Sequence, residues 1–565
     1  MTAMRDRAIA TVALLLALAP RLAAQPATAG VPVASPHLAE ELNPSIVADG
    51  LGGAYVGFKL PMRSPSLPAE IVISHLLPSA YPDPEWVALP MTPVGSLPQG
   101  TPPGPTRLLM GPAGRALAFA DYGSATGTLN LIREVAADGA EPGYPGFKAT
   151  YSYSVFAAQS RADGGALVLS KVPGNTNVLV SVVTAAGTGT EIFYTLEIGN
   201  GAQSAVPSDR IAPVPSSSGV IAAMQFPNAT GTVTGTDLVA VRFDAAGAPL
   251  WIGIHRLVTA ATRDQADVVA ATDGADGMFM AWRDTRTLAT GSDLYGTRML
   301  ANGTVATGWT AGGKALCTAT GEQTAPAIAS DDAGGAWLAW VDGRDTLGTD
   351  IYYTHVLANG AIAAGFPAGG KALCAAAGAQ GSVQLARDGS GGCFAAWLDP
   401  RDGEVDLYGQ HFDTAGNPTA GWTANGSPLC TDPTAQGSPA IERISTGRAV
   451  VVWNDSRLGF RSVYALLLDA THGALDAPPI GGARLALAAA ANPARGAIQL
   501  RLDALDAGDV RVTLYDVGGR ALAERRLSGP ARTGSVRFDG LPPGLYFAVA
   551  GQRGAVATTR VAIVR

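Results

Sequence analysis

One phrase, W-x-D-x-R, returns at nearly constant spacing and constrains the fold more than any other feature of the chain. It occurs at Trp282-Asp284-Arg286, Trp340-Asp342-Arg344, Trp397-Asp399-Arg401 and Trp453-Asp455-Arg457. A second phrase follows each: Asp293-Leu294-Tyr295, Asp350-Ile351-Tyr352, Asp406-Leu407-Tyr408 and the degenerate Ser462-Val463-Tyr464. Turn pairs come next (Asn302-Gly303, Asn359-Gly360, Ala415-Gly416), then Gly-aromatic pairs (Gly308-Trp309, Gly365-Phe366, Gly421-Trp422). A glutamine precedes each unit, at Gln265, Gln323, Gln380 and Gln436. Self-similarity at a fixed period, here roughly 57 residues, marks a repeat architecture.

The frame extends backwards with weaker letters. Phe226, Ser170, Phe119 and Phe58 take the tryptophan place at similar but less regular spacing, which gives eight units between about residues 40 and 480. Within the unit around Trp340, strands are predicted over 326–330, 336–342, 350–358 and 371–374, with turns at 331–335 and Asn359-Gly360. Four strands in about 57 residues are the content of one propeller blade. A lone sheet cannot bury both faces, whereas sheets stacked around an axis can. The expected fold is therefore all-β. It comprises a seven- or eight-bladed β-propeller over residues 25–475, with W-x-D-x-R ending the second strand of its blade. The unit resembles repeats of secreted bacterial proteins whose blades read W-x-D-x-R, then D-I-Y, then a glycine turn. That resemblance is specific over 282–464 and implies a propeller, not one activity.

Both ends carry different signals. Arg5 and Arg7 precede an apolar stretch over 8–19, Pro20 ends it, and Leu22-Ala23-Ala24 supplies small residues. This pattern predicts a signal peptide over residues 1–24, cleaved after Ala24. The apolar stretch falls short of the ~20 residues that a membrane span needs, and no second run of spanning length follows. The expected location is secreted or on the outer cell surface. Residues 476–482 read as a linker, and 483–565 as a small immunoglobulin-like β-sandwich of about six strands. There Asn492-Pro493 is followed by Leu514-Tyr515-Asp516, Gly519-Arg520 and Gly544 with Tyr546-Phe547. This order resembles the C-terminal sorting domain of the type IX (Por) secretion system, and is similar to the immunoglobulin-like module of the flagellar hook-capping protein. The resemblance implies recognition by outer-membrane export machinery. The chain ends on Arg560-Val561-Ala562-Ile563-Val564-Arg565, where that family often has lysine-rich apolar residues.

The net charge of −7 comes without any Lys/Arg cluster, which argues against a nucleic-acid partner. Of the 4 cysteines, Cys317, Cys374 and Cys430 recur once per repeat, each ending a similar phrase. Equivalent sites in neighbouring blades are too distant for a disulfide, so these read as buried small apolar residues. There is no C-x-x-C pair and no histidine at ligand spacing, so zinc is not expected.

No catalytic constellation stands out. His355 and His411, at equivalent places in neighbouring units, read as satisfied strand residues rather than a catalytic pair. The Asp and Arg of W-x-D-x-R could ring one face as ligand-gripping carboxylates. Their repetition in every clear unit favours a structural pair that shapes the same loop. Asp399, Asp402, Glu404 and Asp406 are the candidate Ca²⁺ ligands, and no other cofactor is expected. The Trp and Tyr series reads as core, with stacking on sugar rings as the alternative. The function expected is a binding or adhesion module for an extracellular glycan or protein. The alternatives are an extracellular polysaccharide hydrolase or lyase on a propeller scaffold and a surface-layer component.

Overall fold

The computed structural model describes residues 235–475 almost throughout (288–290, 346–347 and 458–460 aside), with the strands and some turns of 30–228 and of 486–564. Among the described residues every regular element is a strand. The residues expected to form the signal peptide and the linker, and the predicted Asn492, Pro493 and Gly519, lie outside the described residues.

Consecutive strands pair into antiparallel sheets over residues 42–91, 107–135, 154–195, 211–259, 265–317, 323–374, 381–430 and 436–475. The first strand of each sheet contacts the first strand of the next. The first strand of the last sheet, Gln436–Ser445, contacts that of the first, Leu42–Ala48, and closes a ring. This is a propeller arrangement.

The sheet of residues 323–374 shows why the sequence folds this way. Its strands are Gln323–Ser330, Ala336–Asp342, Asp350–Val356 and Lys371–Cys374. The second strand runs apolar from Ala336 to Trp340, and all of these residues are buried, because a sheet covered on both faces needs no alternation. Leu338 and Trp340 pack on Ala281, Leu294 and Leu316 of the preceding sheet. Trp337 and Ala339 pack on Val383, Ala395 and Trp397 of the following one. Asp284, Asp342, Asp399 and Asp455 each end the second strand of their sheet. Trp282, Trp340, Trp397 and Trp453 stand opposite Tyr295, Tyr352, Tyr408 and Tyr464.

One earlier unit needs correction. The register pairs Met224 with Val239 and Phe226 with Asp237. Met224, fully buried, therefore holds the tryptophan place, and Phe226 holds the aspartate place. Counting back from Asp237 at the distance of Trp282 from Asp293 misses this because the hairpin here is two residues longer, and the extra residues extend the ladder to Asn228 and Gly235.

The sheet of residues 436–475 lacks a K-A-L-C strand, and the N-terminal segment supplies one. Val31 pairs with Ala465 and Pro32 with Tyr464, while the Val33 N–H donates to the Val463 carbonyl at 2.9 Å. A Cβ on Gly30 (φ +65) would lie 2.2 Å from the Trp453 ring. Gly313, Gly370 and Gly426 stand equally close to Trp282, Trp340 and Trp397, at 2.4, 2.4 and 2.3 Å, all with positive φ. Only glycine fits such a position. Gly30-Val31-Pro32-Val33 thus repeats Gly426-Ser427-Pro428-Leu429 at the opposite end of the propeller.

Towards the C-terminus, Ala486–Ala489, Ala497–Asp503 and Thr533–Asp539 form one sheet. Ala494–Arg495, Ala555–Val564, Gly544–Gln552, Val510–Asp516 and Ala521–Leu527 form a second. Ile498, Leu500 and Phe538 of the first meet Val512, Leu514 and Ala548 of the second in one core. Tyr546 caps it, its hydroxyl donating to the Pro542 carbonyl at 2.7 Å.

Truncating Trp340 to alanine removes an indole wedged between two sheets and should cost ~3–5 kcal/mol, read as a lower denaturant midpoint. An unchanged midpoint would contradict the packing described.

Candidate functional site

The repeated polar residues are built into the walls of the propeller. Asp342 is fully buried, and its carboxylate accepts four hydrogen bonds: from Trp340 Nε1 at 2.7 Å, and from the Arg344 backbone N–H, Nε and Nη2 at 2.9, 2.8 and 2.6 Å. The guanidinium lies over the Tyr352 ring, 3.8 Å from its centroid. Nη2 also reaches the Gly369 carbonyl at 2.8 Å. The other motifs repeat the contact, with Arg Nη2 to Asp Oδ2 at 2.6, 2.5 and 2.5 Å for Arg286, Arg401 and Arg457. Tyr295, Tyr408 and Tyr464 stack under those arginines at 4.0, 3.9 and 4.0 Å. Such a pair satisfies a carboxylate that could not stay charged in the interior alone. Burial pushes the Asp399 and Asp455 carboxyls up, but the arginine and tryptophan hydrogen bonds outweigh it and hold both below the usual range.

The same arginines cross to the preceding sheet. Nη2 of Arg344, Arg401 and Arg457 reaches the thiols of Cys317, Cys374 and Cys430 at 3.4, 3.0 and 2.9 Å. Arg286 finds Thr259 Oγ1 at 3.4 Å instead. All four cysteines are buried and free. The three repeated thiols are thus more than apolar filler, since each touches an ion pair of the next sheet. Burial pushes the Cys374 and Cys430 thiols up to about 12.

The candidate Ca²⁺ ligands are drawn into different contacts. Asp399 is taken by Arg401 and Trp397, and Asp402 accepts the Tyr408 hydroxyl at 3.1 Å. Glu404 is exposed and Asp406 is buried. Burial, then the charges of Asp402, Asp399, Glu404 and Asp432, push the Asp406 carboxyl up to about 6. Among the described residues no three histidine, cysteine or carboxylate side chains are grouped to hold a metal ion.

A second repeated device went unnoticed in the sequence. At the turn between first and second strands, Asp331 Oδ1 accepts the N–H groups of Ala333 and Gly335 at 2.8 and 2.6 Å, and Oδ2 meets His355 Nε2 at 2.8 Å. Asp388 does the same with Ser390, Gly392 and His411, and Asp49 with Leu51, Gly53 and His75. In the sheet of residues 265–317, Asp273 meets Arg298 in the histidine's place, at 3.0 Å. The legible signal was an aspartate four residues before a glycine ahead of the second strand in these four sheets. His411 is a satisfied strand residue by this geometry, bonded through both ring nitrogens, whereas His355, stacked on Trp337 at 4.0 Å, is bonded through Nε2.

Between the sheets of residues 323–374 and 381–430 these turns border a groove of about 670 Å³, walled by Asp331, Asp332, His355, Asn359, Ser390 and Thr414. Asp332 is held by Arg387 across the gap. His411 Nδ1 is bonded to Thr419 at 2.8 Å, but Ala363 stands at the equivalent place beside His355, whose Nδ1 has no hydrogen-bond partner among the described residues. The groove combines hydroxyl, amide, carboxylate and imidazole groups, and the Ser390 hydroxyl on its wall donates to the Asp388 carboxylate at 2.7 Å.

No protein-family model matches the chain, and no curated protein does. Solved structures resemble it distantly. Puromycin hydrolase is 18% identical with a TM-score of 0.38, over 70% of this chain and 58% of its own, so the chain spans little over half of that protein. The polysaccharide lyase Uly1 is 11% identical with a TM-score of 0.37, over 63% of this chain and 88% of the lyase. The β-propeller domain of the trilobed protease from Pyrococcus furiosus is 9% identical with a TM-score of 0.36, over 70% of this chain and 98% of that domain.

The turn aspartates make a pH prediction. Burial pushes the Asp388 carboxyl up, but its bonds to His411 and Ser390 prevail and hold it at about 2, below the ordinary value of 3.8. A depressed carboxyl stabilises the fold above the unfolded value, and that contribution is lost as pH falls through about 2. Asp388→Asn should remove ~2 kcal/mol at neutral pH and flatten the acid limb of a stability–pH curve. An acid limb unchanged in the variant would contradict this assignment.

Proposed function

We propose that the chain is an exported binding protein. In this reading an eight-bladed propeller is displayed on or released from the cell surface, and it engages an extracellular glycan or protein. The C-terminal strands form the immunoglobulin-like sandwich that the export machinery reads. The observation that carries the binding role is how the repeated groups are spent. The Trp, Asp, Arg and Tyr of each clear unit, and the Cys beside three of the arginines, contact one another inside the walls, while the groove between the sheets of residues 323–374 and 381–430 gathers polar groups outside the W-x-D-x-R frame. Recognition sites are concave and carry a few placed polar groups, as this groove does.

The test uses the mature chain on glycan and protein-partner arrays, with product release followed in parallel. Saturable binding without turnover is expected, and turnover of a bound polysaccharide would move the assignment to a hydrolase or lyase. For export, the full chain should reach the outer membrane or medium of a host with the type IX machinery, and a chain ending at residue 475 should stay in the periplasm. Equal amounts of both outside the cell would contradict the sorting role.

A further inference from the structure

The ring has one seam where the two ends of the propeller meet, and there an acid stands where the three seams before it carry a glutamine. At the seams before the last three sheets, a glutamine N–H donates to the carbonyl just ahead of the preceding sheet's third strand: Gln323 to Ser292 at 2.9 Å, Gln380 to Thr349 at 2.7 Å and Gln436 to Val405 at 2.8 Å. At the closing seam Glu41 does this, its N–H meeting the Arg461 carbonyl at 2.7 Å. A residue with positive φ follows two places on in each case, at Ala325, Ser382, Ser438 and Asn43. Glu41 is therefore the first sheet's counterpart of the glutamines, with an ionisable carboxyl in place of a neutral amide.

That carboxyl sits at the joint itself. Glu41 is buried, and its Oε2 accepts the Val463 N–H at 2.7 Å. The carbonyl of the same Val463 is taken by Val33 at 2.9 Å, so both backbone groups of one residue are held by the N-terminal segment. Asn454 completes the clamp, donating to the Glu41 carbonyl at 2.7 Å and accepting the Asn43 N–H at 3.2 Å. The titratable groups around the joint do not offset a carboxylate. Arg457 on the last sheet is committed to Asp455 at 2.5 Å, and Arg461 contributes its carbonyl. Tyr464 and Asp432 add no positive charge. Lys59, opposite Leu42 on the neighbouring strand, is itself buried and has its pKa lowered by that burial.

We propose that Glu41 is a proton-operated latch on the ring: protonated, it closes the seam between the first and last sheets, and ionised, it loosens that seam. Burial pushes its carboxyl up to about 7 from an ordinary value of 4.5, against the smaller opposing pull of the Val463 N–H. A raised acid stabilises the closed form fully below the unfolded value, and that contribution is lost as pH rises through the folded one. The seam is thus tightest below about pH 4.5 and loses its extra hold by about pH 7. The cost of keeping an uncompensated charge away from water is what opens it.

Hydrogen exchange of the mature full chain reads the seam directly, because the Val463 amide is the proton donor. Corrected for intrinsic rates, protection of residues 461–465 and 30–33 should fall on the order of a hundredfold between about pH 4.5 and about pH 7.5. In Glu41→Gln, which installs the residue of the other seams, that fall should vanish. Equal pH dependence in wild type and variant, or none in the wild type, would overturn the latch. Should Glu41→Gln fail to fold, Gln323→Glu provides the converse. It should import the same pH-dependent loss of protection at residues 292–294, and a folded Gln323→Glu chain without it would overturn the proposal as well.

Discussion

A carboxylate sealed from water at the end of the second strand organises each clear unit of this propeller. Left unpaired, it would be prohibitively costly in that position. The chain meets this cost with a two-pronged arginine two residues on and an indole N–H two residues back. The arginine must lie flat to make the fork, and the tyrosine beneath it provides the surface. The indole must turn towards the aspartate, which brings its ring against the backbone before the fourth strand and admits only glycine there. The same Nη2 that bonds the aspartate also touches the cysteine of the preceding sheet in three of the four units. Trp, Asp, Arg, Tyr and Gly recur together because one buried charge draws them in, and a cysteine or, beside Arg286, Thr259 completes the set.

This explains which parts of the fold were legible in the sequence. Where the network is complete, from Trp282 to Tyr464, the period could be read letter by letter, and strands such as Ala336–Asp342 fall where the pattern places them. In two of the earlier sheets Phe58 and Met224 stand buried at the tryptophan place, so the letters fade. Met224 could not be told from Phe226, because a longer hairpin shifts the count while either side chain suits a core. The strand Val31–Pro32 was hidden by its brevity, and its partner, Ser462–Asp469, lies at the far end of the propeller sequence. Gly30-Val31-Pro32-Val33 was recognisable only once the glycine was known to mark an indole.

The site was less legible than the fold for the same reason. Repetition draws attention to residues that hold the walls, whereas the groove is marked by positions where the repeat lapses. His355 and His411 look equivalent in the sequence and differ in what faces Nδ1, Ala363 in one unit and Thr419 in the other. Glu41 likewise differs from its counterparts by one atom's chemistry. It became visible only when the backbone bond to Arg461 placed it beside the glutamines.

The ring is closed by its own N-terminal segment, and the direct measurement is the thermal unfolding of a chain that starts at residue 34 beside the full-length protein. Without Gly30 to Val33 the third strand of the last sheet, Ser462–Asp469, loses its partner along Val463 to Ala465, and an unpaired edge of that kind invites association. A closed ring predicts a lower midpoint for the shortened chain and concentration-dependent aggregation. A shortened chain that stays monomeric and melts with the full-length protein would contradict it.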